Sequence, residues 1–291
     1  PQDAAPARAR SFTHLVALQK GGDRTPFFIV AGMFGNVLNL RQLAIEIGRD
    51  RPVYGLQARG LIGDDAPHAR IEDAARDYLA EIARVQPQGP YLLGGFSGGG
   101  ITACEMAQQL RAAGQEVAVL ALLDTPLPVR PALTRGDRAR IKLHEFRRKG
   151  LGYAREWLRA RIDWQLRGRH QVATDAPQGA AAFNNRKIEL AFREAVAAYR
   201  LQPWDGPMTL FRPPLDRHWK VGGGRWVSRA REYVLPDNDW TRFAPRVTVV
   251  EVPGDHDSMV LAPNVGVLAA SLRAEIAQSE GNQVLRVSAA E

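Results

Sequence analysis

Short apolar runs alternate with amphipathic stretches along most of the chain. This alternation predicts an α/β fold, in which a mostly parallel sheet is covered by helices. Each apolar run is compact and is bounded by glycine, proline or polar residues, as strands usually are. The predicted strands are Phe27–Ala31, Val53–Leu56, Tyr91–Leu93, Val117–Leu123, Met208–Phe211 and Val247–Val252.

An amphipathic helix is predicted from Ile71 to about Val85. Its apolar residues recur every three or four positions, which places them on one face that can pack on a sheet. That face comprises Ile71, Ala75, Tyr78, Leu79 and Ile82, and the polar side comprises Glu72, Arg76 and Glu81. Two further helices are predicted, one directly after Ser97 and one from Val265 to about Ile276.

The alternation stops between about Pro126 and Asn185. This stretch has a helical pattern, is rich in Arg and Trp and lies between two predicted strands, so we interpret it as a helical insertion over the sheet. The predicted organisation is one domain over residues 12–278 with this insertion at about 126–185. Residues 1–11 have the composition of a linker, and residues 279–291 that of a frayed tail.

Positive charge is concentrated in the insertion. The 291-residue chain has a formal net charge of +8. Twelve basic and four acidic residues lie between Pro131 and His170, and their difference equals the excess of the whole chain. Such an excess of positive charge makes nucleic acid or an anionic surface a candidate partner. A nucleic-acid-binding protein is therefore one hypothesis, although it would leave the serine motif described below unexplained.

Cysteine content and hydropathy restrict the protein class. The single cysteine, Cys104, excludes an internal disulfide and a cysteine-based metal site, and we expect it in the core. The chain has no run of about 18 apolar residues and no apolar N-terminal stretch of the signal-peptide kind. We expect a cytoplasmic protein without a membrane span. Because the chain begins at Pro1, we also expect it to be cut from a longer polypeptide.

The segment from Gly95 to Gly99 carries the strongest chemical signal. It reads Gly-Phe-Ser-Gly-Gly and lies between a predicted strand and a predicted helix. A serine hydroxyl is a poor nucleophile until a base removes its proton, and a sharp glycine-flanked turn exposes it. The following helix N-terminus favours a developing oxyanion. This strand, turn and helix, with an acid and a histidine downstream, predict an α/β-hydrolase fold with Ser97 as nucleophile; the alternative is a glycine-rich turn.

His256 is the best candidate for the base. It follows the last predicted strand and the turn at Pro253 and Gly254, which places it at the carboxyl edge of the sheet. The alternative is a surface histidine between two aspartates. We interpret the remaining histidines as structural or solvated: His14, His68, His144, His170 and His218.

Two carboxylates compete for the role of the acid, which must accept a hydrogen bond from the second ring nitrogen of the base. Asp124 directly ends the strand that follows the serine helix. Asp216 follows the next strand, where most α/β-hydrolases carry their acid, but four residues separate it from Phe211. We favour Asp124.

These residues resemble the thioesterase domains that terminate non-ribosomal peptide and polyketide synthases. The resemblance extends from about Phe12 to Ile276, with only the insertion loosely matched. Its blocks are Pro52–Gly60 (PVYGLQARG), Gln86–Gly95 (QPQGPYLLGG), Cys104–Gly114 (CEMAQQLRAAG), Leu123–Thr125 (LDT) and Pro253–His256 (PGDH).

The resemblance implies release of an acyl or peptidyl chain from the phosphopantetheine arm of a carrier domain, by hydrolysis or macrocyclisation, through an ester on Ser97. It places the acid at Asp124. It also implies oxyanion donors at Gly98 and in the loop after the first long strand, at Met33. Many relatives carry His-Pro-x-Gly-Gly in that loop, whereas this chain has Ala31-Gly-Met-Phe-Gly35, so a shifted loop would make Phe34 the donor.

The resemblance further implies that the insertion is a lid and that the partner is a carrier domain, expected upstream in the same polypeptide. The domain itself is expected to bind no cofactor or metal, because the phosphopantetheine belongs to the carrier. Carrier domains are usually acidic, so we hypothesise that basic residues such as Arg147, Arg148 and Lys149 help to dock one; a solvated helix face is the alternative. A separate editing thioesterase that clears misprimed carriers is the second functional hypothesis.

Overall fold

The computed structural model describes residues 12–149 and 184–288. The strands in this part are β1 (Leu15–Gln19), β2 (Phe27–Val30), β3 (Val53–Leu56), β4 (Tyr91–Phe96), β5 (Val117–Leu123), β6 (Thr209–Arg212), β7 (Trp219–Lys220), β8 (Trp226–Val227) and β9 (Thr248–Glu251). The helices are α1 (Arg41–Ile47), α2 (Ile71–Ile82), α3 (Gly99–Ala112), α4 (Arg135–Lys149), α5 (Asn185–Ala198) and α6 (Val265–Ser288).

Seven strands form one sheet in the order β1-β3-β2-β4-β5-β6-β9. Every pair in it is parallel except β1 with β3 at one edge. The six predicted strands are all present, and β4 continues to Phe96, three residues beyond the predicted end. Strand β1 was not among these six, although Leu15–Leu18 (LVAL) is itself a short apolar run.

Helices cover both faces of this sheet. Strand β2 illustrates why, since successive side chains point to opposite faces. Phe28 and Val30 join a core that includes residues of α2 and α3, whereas Phe27 and Ile29 join a core that includes residues of α1 and α6. All four side chains are at most 3% exposed. Burying each one contributes about 1.5–3 kcal/mol, and a strand that is apolar throughout therefore belongs inside the sheet.

Glu81 of α2 corrects the predicted polar face of that helix. It is buried, and its carboxylate accepts hydrogen bonds of 2.7–2.8 Å from the backbone N–H groups of Thr13, His14 and Leu15. These donors lie at the start of β1. Since an unpaired buried N–H is costly, the carboxylate replaces a missing strand partner. The apolar face itself agrees with the prediction, with Ile71, Ala75, Tyr78 and Ile82 all buried.

Helix α6 corrects the predicted tail. It continues to Ser288, although the apolar pattern ended near Ile276. Two contacts tie the added turns to the sheet domain: Ser279 Oγ donates to the carbonyl of Ala118 at 3.2 Å, and Glu280 pairs with the buried Arg51 at 2.5 Å. The polar composition that suggested fraying therefore includes specific anchoring groups.

The described residues divide into two compact units. The first contains residues 12–129, 184–214 and 237–288 and therefore the whole seven-stranded sheet. The second contains residues 130–149 and 215–236. The predicted helical character of the insertion agrees with α4, but the inclusion of residues 215–236 was not predicted. The rest of the predicted insertion, residues 150–183, lies outside the described residues.

The second unit is organised around α4 and the hairpin of β7 and β8. Asp137 is its buried polar centre, and it accepts hydrogen bonds from Tyr233 Oη at 2.6 Å, Thr134 Oγ1 at 2.8 Å and the backbone N–H of Gly222 at 3.0 Å. The bond from Tyr233, followed by those from Gly222 and Thr134, lowers the pKa of Asp137 to about 2. The surrounding apolar cluster comprises Ile141, Trp219, Val221, Val227 and Tyr233.

None of the helices in the described part of the chain combines the length and apolarity that a membrane crossing requires.

Candidate active site

Ser97 occupies a sharp corner between β4 and α3. Its φ of 52° lies in the left-handed region, which costs an L-residue roughly 1–2 kcal/mol. The corner closes only because its neighbours lack side chains. A Cβ at Gly95 would overlap the backbone of Gly100, and one at Gly99 would overlap the carbonyl groups of Val30 and Ala31. The glycines of the motif therefore allow the tight approach that presents the serine.

The sheet register brings Ser97 and Asp124 side by side. Phe96 of β4 is paired with Leu123 of β5. The next residues extend this ladder: the backbone N–H of Ser97 donates to the carbonyl of Leu123 at 2.8 Å, and that of Asp124 donates to Phe211 at 2.7 Å. Asp124 also has a left-handed φ, 45°. Both side chains therefore project from adjacent strand ends with fixed backbones.

His256 lies between these two side chains. Its Nδ1 is 2.7 Å from Asp124 Oδ2, and its Nε2 is 3.0 Å from Ser97 Oγ. An ionised carboxylate can only accept, so Nδ1 carries the proton in this arrangement and the neutral ring offers the Nε2 lone pair. The serine hydroxyl then donates to Nε2. Serine, imidazole and carboxylate thus form a continuous chain of hydrogen bonds, which is called the relay below.

The loop after β9 holds His256 in place. Asp255 and Ser258 brace it, since Asp255 Oδ1 accepts from the backbone N–H of Ser258 at 2.8 Å and Ser258 Oγ donates to the same oxygen at 2.7 Å. These hydrogen bonds lower the pKa of Asp255 below its usual value. The ring of Phe96 stacks on the imidazole at a centroid distance of 5.3 Å. The imidazole is thus held by Phe96 on one face and by Asp124 at Nδ1.

The competing carboxylate has a different environment. Asp216 lies in the second unit, where it accepts a hydrogen bond from the backbone N–H of Arg229 at 2.8 Å.

Cys104 is buried in the core, as predicted, and burial raises the pKa of its thiol. Of the remaining histidines, His14 and His68 are buried, whereas His170 lies outside the described residues.

A cavity of about 430 Å³ opens next to the relay. Met33 and Phe34, the two predicted alternatives for an oxyanion donor, both line it together with Ser97 and His256. Gly98 begins the turn into α3, and a Cβ at this position would lie 2.6 Å from the ring of Phe192. The assignment of Gly98 and Met33 as donors remains a prediction. Phe34 and Leu38 contribute exposed apolar surface to the cavity, 52% and 58% exposed respectively.

One group in the described residues has the composition of a metal site. Ligand atoms of His14, His68 and Asp77 lie within 4.8 Å of one another. Asp77 is already engaged, at 2.8 Å by His68 Nε2 and at 3.3 Å by Arg59. Burial lowers the pKa of both histidines. Since these side chains have partners of their own and join β1 to α2, we interpret the group as structural.

Comparison with known proteins places these features in a family. The profile described as "Thioesterase domain" matches residues 25–183, more than half of the chain. The chain belongs to the thioesterase domain family. It is 40% identical over 120 residues to malpinin synthetase of Mortierella alpina and 40% identical over 119 residues to polyketide synthase PksR of Bacillus subtilis. Each match covers 41% of this chain, but only 2% and 5% of the respective relatives.

A solved structure of the NocB thioesterase domain shares the fold of this thioesterase domain. The two are 22% identical with a TM-score of 0.63, over 90% of this chain and 99% of that one. With the parallel sheet and its flanking helices, this likeness confirms the α/β-hydrolase fold expected from the sequence.

Sequence reasoning missed one residue that contacts Asp124 in this thioesterase domain. Asn238 Nδ2 donates to Asp124 Oδ1 at 3.1 Å, across 114 positions of the chain. The run Asp237-Asn-Asp239 is typical of turns, so the sequence could have indicated the turn. Its contact with Asp124 depends on the tertiary structure.

Proposed function

We propose that this thioesterase domain releases an acyl or peptidyl chain from the phosphopantetheine arm of a carrier domain through an ester on Ser97. The observation that carries the proposal is the relay, with 3.0 Å from Ser97 Oγ to His256 Nε2 and 2.7 Å from His256 Nδ1 to Asp124 Oδ2. A relay of this kind activates a hydroxyl for acyl transfer.

In the first half of the proposed reaction, His256 Nε2 takes the proton of Ser97 while Oγ attacks the thioester carbonyl. The tetrahedral oxyanion is stabilised by the backbone N–H groups of Gly98 and Met33. When the C–S bond breaks, the imidazolium returns its proton to the leaving thiolate, and the acyl group stays on Ser97. Asp124 keeps the imidazole in the required tautomer and stabilises its charged form.

In the second half, His256 takes a proton from water or from a nucleophile of the bound acyl or peptidyl group, and the deprotonated species attacks the ester. Water gives the free acid, and an internal nucleophile gives a macrocycle. The proton then returns to Ser97 Oγ.

The partner in this proposal is a carrier domain, upstream in the same polypeptide. The much greater length of the synthetase and polyketide synthase relatives supports it. The proposal requires no cofactor held by this domain.

Intact-mass analysis with synthetic acyl-pantetheine thioesters tests the proposal. We expect the mass to increase by one acyl group in the wild-type domain, with the ester mapped to Ser97, and no increase in Ser97→Ala. Circular dichroism of both proteins checks that the substitution leaves the fold intact. An acyl adduct of equal yield in Ser97→Ala would contradict the proposed function.

Charge reversal at Arg147 and Arg148 tests whether the basic residues of the insertion contact the carrier domain. Both side chains lie on α4 and are exposed. Because charge attraction raises encounter rates and is screened by salt, Arg147→Glu with Arg148→Glu should raise KM for a carrier-bound substrate about fivefold at low salt. KM for a soluble acyl-pantetheine should not change. Lys20→Glu with Arg49→Glu, two exposed positions of the first unit, is the charge-matched control. Equal effects on both substrates would reject a docking role.

A further inference from the structure

Asp124 uses both of its carboxylate oxygens. Oδ2 faces His256 at 2.7 Å, and Oδ1 accepts the hydrogen bond from Asn238 Nδ2 at 3.1 Å. We propose that Asn238 is a positioning residue that fixes the orientation of the Asp124 carboxylate and so aligns His256 with Ser97. This inference rests on the proposed function, because it concerns the efficiency of the same relay.

The loop that carries Asn238 is braced by its own side chains. The Asp237 carboxylate accepts hydrogen bonds from the backbone N–H groups of Asp239 and Thr241, at 2.9 and 3.0 Å, and from the Thr241 hydroxyl. These bonds close a short turn that continues into the 3₁₀ helix Trp240–Arg242. Asn238 therefore extends from a loop with a defined backbone conformation.

Trp240 anchors this loop next to the acid. Its side chain is 1% exposed, and its Nε1 donates to the carbonyl of Thr125 at 2.8 Å. Asn238 Nδ2 also lies 3.3 Å from the same carbonyl. Thr125 directly follows Asp124, so the loop binds both the side chain of the acid and the backbone beside it. A shift of Asp124 relative to Asn238 would break several contacts at once.

The chemistry of an amide suits this position. A carboxylate held by a single hydrogen bond can rotate about its Cβ–Cγ bond, whereas donors on both oxygens fix the rotation. A neutral donor does this without introducing a cation that would compete with the imidazolium for the charge of Asp124. The backbone supports the same residue choice, because φ of Asn238 is 50° and asparagine tolerates this region better than most residues.

Asn238→Gly separates positioning from folding. Glycine adopts a positive φ without strain, so the loop keeps its conformation and the melting temperature should stay within about 2 °C while the donor is lost. With a soluble acyl-pantetheine we expect kcat to fall about tenfold, corresponding to about 1.4 kcal/mol, and KM to stay unchanged. Asn238→Asp has the same shape but directs a carboxylate at Asp124, and should lower kcat about a hundredfold.

Asp239→Gly is the matched control. Asp239 also has a left-handed φ, 70°, and its carboxylate pairs with Arg242 at 2.8 Å rather than with the relay. We expect its kcat to equal that of the wild type. A wild-type kcat in Asn238→Gly, or equal losses in Asn238→Gly and Asp239→Gly, would overturn the positioning role. Neither result would affect the acyl adduct on Ser97, so the proposed function is judged separately.

Discussion

Asp124→Asn should lower kcat by about four orders of magnitude, while Asp216→Asn should leave it within a factor of two. The substituted amide keeps the size of the carboxylate but lacks its charge, and its NH₂ group can force the imidazole into the wrong tautomer. Asp124 Oδ2 is the oxygen that faces His256 Nδ1. Asp216 instead accepts from the backbone of Arg229, so its replacement removes no contact of the relay.

Steady-state hydrolysis of an acyl-pantetheine measures this difference. The two variants change the same functional group, and thermal melts of both check that the comparison concerns chemistry rather than folding. A loss of activity in Asp216→Asn with little loss in Asp124→Asn would mean that the acid had been assigned to the wrong strand. Equal, small losses would exclude an essential carboxylate at either position.

Gly99→Ala should destabilise the domain by about 3 kcal/mol or more, or prevent it from folding. The added Cβ would overlap the carbonyl groups of Ala31 and Val30, which belong to the adjacent chain segment and cannot move like the end of a flexible side chain. With glycine at this position the backbone can approach these carbonyl groups closely, and α3 can start directly behind Ser97. Denaturant unfolding of the purified variant measures the loss.

Gly266→Ala is the corresponding control. Gly266 also lies in the first turn of a helix, α6, but its added methyl group would meet no atom within 4 Å. Alanine is a better helix former than glycine, so this variant should be neutral or more stable by up to about 1 kcal/mol. Similar unfolding free energies for the two alanine variants would contradict the steric account of Gly99.

The relay could be predicted because its three residues follow strands that the apolar pattern identifies. Ser97 and Asp124 come directly after β4 and β5, and His256 lies in the loop after β9. In a parallel sheet these ends meet at one edge, so local pattern and topology were sufficient. The choice of Asp124 over Asp216 used the same reasoning, and Asp124 is the carboxylate that lies 2.7 Å from His256 Nδ1.

Other features depend on contacts that no local pattern contains. Glu81 has polar spacing on its helix, and its burial is explained only by three backbone donors of a strand some 66 positions earlier. Glu280 continues α6 through its pairing with Arg51. Asn238 belongs to a turn whose target, Asp124, is distant in the chain. In each case a polar residue satisfies a partner that only the folded chain brings near.

The second unit is built from two separate segments, which leave the sheet domain after β5 and after β6. These strands are neighbours, and Leu123 near the first exit is paired with Phe211 near the second. The chain therefore enters both segments from neighbouring strands whose register is fixed by the sheet. Evolution or an engineer could diversify the two segments without rebuilding the catalytic framework.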